Sequence, residues 1–447
     1  MNLYALLRRR AAEHRPLRVA LIGAGKFGSM FLSQAQRTPG LHVVAIADLD
    51  PARARASLAR VGWPADRFDA GSDREALSAG TTWLTDDALA AISSPATEIV
   101  IDATGSPAAG IRHALACCSH GKHVVMVNVE ADALAGPLLA QRARDAGVVY
   151  SLAYGDQPAL ICEMVDWARA AGFEVVAAGK GTKYLPGYHH STPDTVWGHY
   201  GFSEAQVASG DFNAQMFNSF LDGTKSAIEM AAVANATGLR SAPGGLEFPP
   251  CGVDDLPHVL KPRTEGGVLA ARGQVEVVSS MKRDGEPVFR DLRWGVYVTF
   301  AAETDYVRKC FHEYGLATDA SGMYAAMYKP YHLIGLELGV SVASVGLRGE
   351  ATGAPTAFHA DAAAVAKRDL SEGDMLDGEG GYTVYGRLMP AADSLKAGAL
   401  PIGLAHRVRV TRRVRKDTVV GWNDVAVEDC EAVRVRREME TMRCPTP

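Results

Sequence analysis

A glycine-rich turn between two apolar runs constrains the fold of this chain more than any other feature. Residues 17–22 form a short apolar run suited to a buried parallel strand, and a second apolar run ends at Asp48. Between them, Gly23 permits a tight turn, Gly25 lets the backbone approach a pyrophosphate, and Gly28 lets the following helix pack closely on the strand. The N-terminus of that helix offers N–H groups to phosphates. The turn therefore predicts a dinucleotide-binding βαβ unit.

Composition narrows the class of protein. A chain of 447 residues suggests two or three domains, and 47% hydrophobic with 22% charged residues is typical of a globular protein. The net charge of −5 gives no reason to propose a nucleic acid or a membrane surface as partner. Seven cysteines without a CxxC pair argue against a disulfide framework or a structural zinc site. We expect a cytoplasmic protein that binds neither nucleic acid nor membrane.

Strand-like and helix-like segments alternate up to about residue 155. This alternation predicts an α/β fold with a Rossmann-type doubly wound parallel sheet, in domain 1–155. Ligands bind such sheets at the carboxyl ends of the strands. Two short segments with polar residues, 104–107 and 128–130, follow predicted strands and are expected at this edge. The predicted cofactor-binding residues are Gly23, Gly25, Lys26, Phe27, Gly28, Asp48, Arg53, Thr104, Gly105, Asn128 and Glu130.

Two further domains are expected. Residues 156–355 mix helical and strand-like segments with long polar loops, which indicates an α+β substrate domain. A segment around 351–357 reads as a linker, and residues 356–447 read as a small β-rich C-terminal domain.

A dense group of polar donors lies between residues 180 and 200, where prolines and glycines predict a loop. Lys183, His190 and Asp194 belong to this group. One interpretation is a substrate loop that offers cations to a phosphate or carboxylate and acid–base groups to a sugar-like ligand. The alternative is a solvated surface loop, and the local pattern leaves both open.

A second candidate begins at Asp222, which the pattern places as the cap of a following helix. Lys225 and Glu229 then lie four residues apart on one helix face, an arrangement suited to proton transfer at a carbonyl or alcohol. The alternative is an N-cap with a solvated helical ion pair. Asp194, Asp222 and Glu229 are also possible oxygen ligands for Mg²⁺. A third candidate, Lys329, lies in an aromatic segment whose spacing by itself favours a core strand with a surface lysine.

Four segments carry a resemblance to a known family. They are GAGKFG at 23–28, DATG at 102–105, GKHVVMVNVE at 121–130 and YGDQP at 154–158. With the tail at 366–425, they resemble homoserine-dehydrogenase-like oxidoreductases that carry a C-terminal SAF domain. Val129 stands where homoserine dehydrogenases have a lysine, which argues against homoserine as substrate.

Within that group, the chain is similar to the type II, DXR-like form of 1-deoxy-D-xylulose 5-phosphate reductoisomerase. The resemblance implies NAD(P)H-dependent rearrangement and reduction to 2-C-methyl-D-erythritol 4-phosphate, an isoprenoid precursor, assisted by Mg²⁺ or Mn²⁺. It implies a small phosphorylated sugar as substrate. A homodimer is expected on general grounds for this architecture. The candidate catalytic residues are Lys183, His190, Asp222, Lys225 and Lys329, and the candidate metal ligands are Asp194 and Glu229.

The resemblance leaves two other functions open. Related proteins act as oxidoisomerases on branched sugar acids, so an NAD-linked enzyme for an unphosphorylated sugar acid is a second possibility. A nucleotide-sensing regulatory protein is a third. The resemblance implies NADPH, but a carboxylate such as Asp48 usually binds the ribose hydroxyls of NAD and repels a 2′-phosphate. Arg53 and Arg55 lie close enough in sequence to offset that charge, so either cofactor fits.

Overall fold

A computed structural model of the chain describes residues 2–209 and 212–442. The helices are α1 Leu3–Ala12, α2 Lys26–Ala35, α3 Pro51–Arg60, α4 Asp73–Ala79, α5 Ala88–Ser93, α6 Pro107–Ser119, α7 Val129–Asp145, α8 Gln157–Ala170, α9 Val196–Tyr200, α10 Glu204–Ser209, α11 Ala214–Leu221, α12 Thr224–Thr237, α13 Leu256–Val259, α14 Asp305–Glu313, α15 Gly339–Arg348, α16 Ala391–Ala397 and α17 Glu431–Met439. The strands are β1 Leu17–Ile22, β2 Leu41–Ala47, β3 Trp83–Thr85, β4 Ile99–Asp102, β5 His123–Met126, β6 Tyr150–Leu152, β7 Glu174–Thr182, β8 Gln274–Ser279, β9 Val296–Ala301, β10 Tyr324–Lys329, β11 Ala360–Ala366, β12 Met375–Asp377, β13 Val384–Pro390, β14 His406–Val410 and β15 Val425–Ala426.

The chain forms two compact units, and each unit is made of two separate segments. The first unit comprises Met1–Leu160 and His332–Thr356, and the second comprises Ile161–Tyr331 and Ala357–Pro447. Residues of the predicted C-terminal domain therefore share a unit with most of the predicted substrate domain. The domain boundaries at 155 and 355 stay predictions.

The first unit is built on a six-stranded parallel sheet with the order β3-β2-β1-β4-β5-β6. The order reverses between β1 and β4, which creates the crevice at the carboxyl ends of the strands where dinucleotides bind in such sheets. The predicted α/β fold with a Rossmann-type sheet is confirmed.

The core of this unit explains why its apolar runs form strands and helices. Leu21 of β1 and Phe31 of α2 are almost completely buried in one hydrophobic cluster. Val342 of α15 belongs to the same cluster, so a helix from far along the chain completes the packing around β1. Gly346 keeps α15 close, since a Cβ at that position would lie 2.7 Å from a methyl carbon of Leu17.

The segment predicted as a linker is hydrogen-bonded beside β6. The Thr352 hydroxyl donates to the Leu152 carbonyl (2.8 Å), and the Leu152 N–H donates to the Gly353 carbonyl (2.7 Å). These bonds fix the start of the segment along the open edge of a short strand. The chain passes from the first unit to the second between Thr356 and Ala357, within this segment, and its role as a linker between domains stays a prediction.

The second unit contains a mixed four-stranded sheet with the order β10-β9-β7-β8. Strand β7 pairs in parallel with β8 and antiparallel with β9. Two small antiparallel sheets, β11-β13 and β12-β14-β15, come from the C-terminal segment. They confirm the β-rich character predicted for this region.

Helix α12 joins these sheets within the second unit. It is buried over most of its length, and its two ends bind the C-terminal segment. The Gly386 N–H donates to the Thr224 hydroxyl (2.8 Å), while the Asn235 side chain accepts from the N–H (2.9 Å) and donates to the carbonyl (3.1 Å) of Ala360. The C-terminal sheets are therefore part of the scaffold around α12.

Across residues 2–209 and 212–442, none of the helices combines the length and the apolar character needed to cross a membrane.

Candidate active site

The glycine turn of the first unit has the geometry that the sequence predicts. Gly23 has a φ of +94°, and a Cβ there would lie 2.7 Å from the Ala103 carbonyl oxygen. A Cβ on Gly28 would lie 2.3 Å from the Gly23 carbonyl oxygen, so only glycine allows this approach of helix and strand. A Cβ on Gly25 would meet no atom within 4 Å. Open space at Gly25, at the uncapped start of α2, fits the pyrophosphate of a dinucleotide.

The Asp48 carboxylate is buried at the end of β2 and binds three donors. Its Oδ2 atom accepts from the Ala24 N–H (2.8 Å) in the glycine turn. Its Oδ1 atom accepts from the Asp50 N–H (3.0 Å) and from the Arg53 guanidinium (2.8 Å), whose side chain is mostly exposed. Asp48 therefore fixes the glycine turn to β2, and Arg53 offsets its negative charge.

A second hydrogen-bonded group lies at the ends of β4 and β5. The buried Asp102 carboxylate accepts from the Thr104 hydroxyl (2.9 Å) and pairs with the His113 ring (2.5 Å). The Asn128 amide donates to the Ser106 carbonyl (2.8 Å), and its oxygen caps α7. These bonds hold the small-residue turn that contains Gly105, which has a φ of +67°. The turn is thereby fixed at the edge where cofactors bind.

The remaining predicted cofactor residues line the same edge of the first unit. Lys26 is exposed at the start of α2, Phe27 is half-buried against the core beside it, and Glu130 is half-buried in the first turn of α7. Their contacts with a cofactor stay predictions.

In the second unit, Lys180 and Glu229 form a buried ion pair. The Lys180 ammonium on β7 donates to Glu229 Oε2 on α12, and their side chains are 5% and 4% exposed. Burial of two opposite charges requires this direct contact, since either charge alone would be strongly disfavoured there. The pair places an ammonium group and a carboxylate at a fixed position on one face of the sheet.

Lys329 shares that face. Lys180 of β7 lies opposite Val296 of β9, and Val296 lies opposite Lys329 of β10. Directly opposed residues in neighbouring strands project from the same side of a sheet. The structure therefore places the predicted catalytic lysine Lys329 two strands from Lys180, and half-buried rather than fully on the surface.

Asp222 is the centre of a second buried ion pair. Its Oδ2 atom accepts from the Lys367 ammonium (2.7 Å), and its Oδ1 atom accepts from the N–H of Thr224 (2.9 Å) at the start of α12. Lys367 also donates to the carbonyls of Ser191 (2.8 Å) and Gly381 (2.7 Å). Burial raises the pKa of the Asp222 carboxyl, and the Lys367 charge opposes that shift. The C-terminal segment thus supplies the counter-ion of a candidate catalytic carboxylate.

A histidine in a defined tautomer lies beside this pair. His189 Nδ1 contacts the Asp222 carbonyl (2.7 Å), which only accepts, so Nδ1 carries the proton. The Tyr184 hydroxyl then donates to His189 Nε2 (2.8 Å). Phe248 stacks on Tyr184 and Tyr385 stacks on His189, with ring centroids 3.9 and 4.5 Å apart. Burial lowers the pKa of His189, which favours the neutral ring.

The other predicted catalytic residues lie around these groups. The Lys183 ammonium donates to the His199 carbonyl (2.5 Å), just after the end of β7. His190 is paired through Nε2 with the exposed Asp417 carboxylate (2.7 Å). Lys225 is half-buried in the first turn of α12. Their roles in chemistry stay predictions.

The two predicted metal ligands do not fit one cation site. Asp194 is exposed and accepts from the Tyr382 hydroxyl (2.9 Å), whereas Glu229 is buried and bound to the Lys180 ammonium. Within the described parts of the chain, no group of three or more His, Cys, Asp or Glu side chains is arranged to hold a metal ion. A lysine therefore takes the place at Glu229 that the prediction gave to a divalent cation.

Two buried lysines were not among the predicted catalytic residues. Lys180 lies within β7, although the prediction placed the whole of 180–200 in a loop. A signal was present in the sequence, because Lys180 follows the apolar run 175–178 after a single glycine, and a lysine buried at the end of such a run needs a counter-charge. Lys367 ends the alanine-rich strand β11 in the same way.

Two family profiles match the chain. Residues 17–127 match the GFO/IDH/MocA profile, described as an oxidoreductase family with an NAD-binding Rossmann fold. Residues 155–338 match the profile described as the catalytic domain of the oxidoreductase DRL. No protein of curated function matches the chain.

Several solved structures are similar to parts of the chain. A homoserine dehydrogenase from Thiobacillus denitrificans is 21% identical over 50% of this chain and 49% of its own, with a TM-score of 0.36. A myo-inositol dehydrogenase from Lactobacillus casei is 16% identical over 41% and 52%, with a TM-score of 0.29. The putative oxidoreductase yvaA from Bacillus subtilis is 11% identical over 76% and 91%, with a TM-score of 0.38.

The chain spans about half the length of the first solved structures that it matches. The parallel sheet of the first unit fits the Rossmann fold that the first profile describes. The chain thus has one region similar to the NAD-binding Rossmann domains of GFO/IDH/MocA oxidoreductases and a second region similar to the catalytic domain of the oxidoreductase DRL.

Proposed function

We propose that the protein is an NAD(P)H-dependent reductoisomerase that converts 1-deoxy-D-xylulose 5-phosphate to 2-C-methyl-D-erythritol 4-phosphate. The observation that carries the proposal is the buried Lys180–Glu229 pair, which lies inside the segment matched to an oxidoreductase catalytic domain. A resemblance of the sequence to DXR-like reductoisomerases supports the choice of substrate.

The reaction needs a proton donor at a carbonyl oxygen and a proton acceptor at a neighbouring hydroxyl. Rearrangement of the carbon skeleton moves one C–C bond, and it converts the ketone into a branched aldehyde with no net gain or loss of atoms. Hydride and a proton then convert the aldehyde into an alcohol. A bound nicotinamide cofactor supplies the hydride.

Lys180 is the group that we assign to the carbonyl oxygen. Its ammonium carries three N–H donors, and Glu229 binds one of them. The Glu229 carboxylate fixes the orientation of the Lys180 ammonium, so that the charge developing on the substrate oxygen meets a preorganised donor. Lys329 projects from the same face of the sheet and is assigned to the substrate hydroxyls.

Asp222 and His189 are assigned to proton movement at the hydroxyl. Burial raises the pKa of the Asp222 carboxyl, a change that makes a carboxylate a stronger base. The neutral His189 ring and the Tyr184 hydroxyl continue a chain of hydrogen bonds away from the Asp222 backbone. Because Asp194 and Glu229 do not share a cation site, no step is assigned to a divalent ion.

The test is an assay of the full-length protein with the phosphorylated ketose and NADPH or NADH, each with and without Mg²⁺ or Mn²⁺. We expect oxidation of the cofactor and formation of the branched tetrol phosphate, identified by NMR. Lys180→Met should abolish turnover while the variant still binds cofactor, and Lys309→Met, an exposed lysine on α14, is the charge-matched control. Undiminished turnover of Lys225→Ala would remove Lys225 from the mechanism.

A second candidate function is an NAD-linked oxidoisomerase or dehydrogenase of an unphosphorylated branched sugar acid. The buried Asp48 carboxylate at the end of β2 favours it, since such a carboxylate binds the ribose hydroxyls of NAD. Clear turnover of an aldonate with NAD⁺, together with none of the phosphorylated ketose, would replace the first proposal with this one.

The proposal also includes a homodimer as the assembled state, a common arrangement among soluble enzymes. Light scattering on the purified protein tests it, and a monomer mass at assay concentration would contradict it.

A further inference from the structure

We propose that Lys183, Arg293 and the Tyr200 ring form an anion-binding site that takes the phosphate of a phosphomonoester substrate. The inference rests on the proposed function, because it names the part of the second unit that would hold the substrate phosphate.

Two cations converge on one aromatic ring. The Lys183 ammonium lies 5.8 Å from the centroid of the Tyr200 ring, and the Arg293 guanidinium lies 5.6 Å from the same centroid. Arg293 also lies over the Trp294 ring at 4.7 Å. The faces of aromatic rings attract cations, so Tyr200 holds together two groups that repel each other.

Neither cation is paired with a carboxylate. Over the described residues, no acidic side chain lies within ion-pair distance of Lys183 or Arg293. The nearby Asp291 carboxylate accepts instead from the backbone N–H of Arg293 (2.8 Å). The Lys183 ammonium donates to a backbone carbonyl, that of His199, and no carboxylate among residues 2–209 and 212–442 compensates its charge. Two uncompensated positive charges match the charge of a phosphate dianion.

The backbone holds the two cations together. Lys183 directly follows β7, and Arg293 lies in the turn before β9. A Cβ on Gly181 would lie 1.9 Å from the Leu292 carbonyl oxygen, and the Gly181 N–H donates to the Gly295 carbonyl (3.0 Å). The turn therefore packs directly on the end of β7, and only glycine at 181 allows it.

The pKa shifts of Lys183 and Tyr200 both include an effect of the Arg293 charge, as expected for groups that lie close together. Burial and then the charge of Arg293 lower the pKa of Lys183. Burial raises the pKa of Tyr200 to about 12, which Arg293 opposes and the Asp222 charge reinforces. Tyr200 thus lies within the electrostatic reach of both Arg293 and Asp222, which connects the anion site to the candidate catalytic carboxylate.

The site lies at the same strand end as the Lys180–Glu229 pair. Lys183 follows Lys180 by three residues, a separation of about 10 Å along an extended chain. Lys180 lies within β7 and Lys183 directly follows that strand, so the same strand positions the backbone of both lysines. Arg293 is half-buried and its neighbour Trp294 is exposed, which leaves the site accessible to a solute.

The first test needs no turnover. Isothermal titration of the full-length protein with inorganic phosphate should show binding, and Lys183→Met and Arg293→Met should each weaken it by about tenfold or more, the loss expected when a charged hydrogen-bond donor is removed. Lys309→Met removes the same charge elsewhere and should bind phosphate like the native protein. Circular dichroism checks folding, and Lys183→Gln and Arg293→Gln, which also remove the charge, are the substitutes if a methionine variant does not fold. Unchanged phosphate binding in the folded variants would overturn the proposal.

A second pair of measurements separates this site from the reaction. Phosphate binding that depends on Lys183 and Arg293, without turnover of the ketose phosphate, would contradict the proposed reaction and leave the site standing. Turnover with an unchanged KM in Arg293→Met would contradict the site alone. Titration with acetate is the third arm: if acetate binding depends on these residues and phosphate binding does not, the site takes a carboxylate and the phosphate assignment is wrong.

Discussion

The Lys180 ammonium and the Glu229 carboxylate bind each other in the interior of the second unit, although 49 residues separate them in the sequence. Removing one partner of a buried pair leaves the other charge without compensation. We therefore expect Glu229→Gln to lower the free energy of unfolding by about 3–5 kcal/mol, measured by urea titration.

The double variant Lys180→Met with Glu229→Gln supplies the control for that prediction. It removes both charges, so it should be more stable than Glu229→Gln alone and still inactive. Equal stability of the single variant and the native protein would show that the pair is not buried in solution.

The glycine turn allows a matched pair of substitutions. Gly25→Ala adds a methyl group into open space, so we expect an unchanged Tm and a loss of nicotinamide cofactor binding. Gly28→Ala adds a Cβ 2.3 Å from the Gly23 carbonyl oxygen, so we expect both Tm and cofactor binding to fall. Thermal unfolding and fluorescence titration with NADH measure the two effects. Retained cofactor binding in Gly25→Ala would place the pyrophosphate elsewhere.

Arg53 should govern the choice between the two nicotinamide cofactors. Its guanidinium offsets the Asp48 charge, and without it Asp48 would repel a 2′-phosphate. We expect Arg53→Met to lower kcat/KM for NADPH by about tenfold, while kcat/KM for NADH changes little. Arg74→Met, at an exposed arginine on α4, controls for loss of charge. An unchanged ratio of the two values would exclude Arg53 from cofactor choice.

The first unit contains a carboxyl group that makes its stability depend on pH. Asp132 of α7 is fully buried; it accepts from the Tyr150 hydroxyl (2.9 Å) through Oδ1, and its Oδ2 atom has no hydrogen-bond partner among the described residues. Burial raises the pKa of Asp132 to about 7. In the unfolded chain, by contrast, this group releases its proton near pH 4.

Between about pH 4 and pH 7, the folded state therefore keeps a proton that the unfolded state has lost, and the free energy of unfolding falls as pH rises. We expect Asp132→Asn to remove this dependence and to be more stable than the native protein above pH 7. Urea titrations at pH 5 and pH 8 measure the change. Parallel pH profiles for the two proteins would contradict the raised pKa.

The Rossmann sheet was predictable because its signals are local. Apolar runs, the spacing of Gly23, Gly25 and Gly28, and a carboxylate at the end of the second run all lie within 32 residues of sequence. Each of these features reports the backbone geometry of its own segment, so no distant contact is needed to interpret it.

The two buried ion pairs of the second unit were not predictable in the same way. Lys180 was assigned to a loop because prolines and glycines dominate the residues after it, whereas β7 extends to Thr182. Its counter-charge lies on α12, and the counter-charge of Asp222 lies 145 residues further along, at Lys367. The four-residue spacing on one helix favoured Lys225 as the partner of Glu229. Such local spacing carries no information about which charged side chains meet when strands and helices from distant segments pack together.

Each of the two units is built from two segments that are far apart in the sequence, so neither unit is complete until its second segment has been synthesised. The core around β1 is incomplete until α15 has left the ribosome, and Asp222 has no counter-ion until Lys367 follows. Neither unit can finish folding while the chain is still short, although most of each has already been made. Two partly formed cores are therefore exposed together until these late segments have been synthesised.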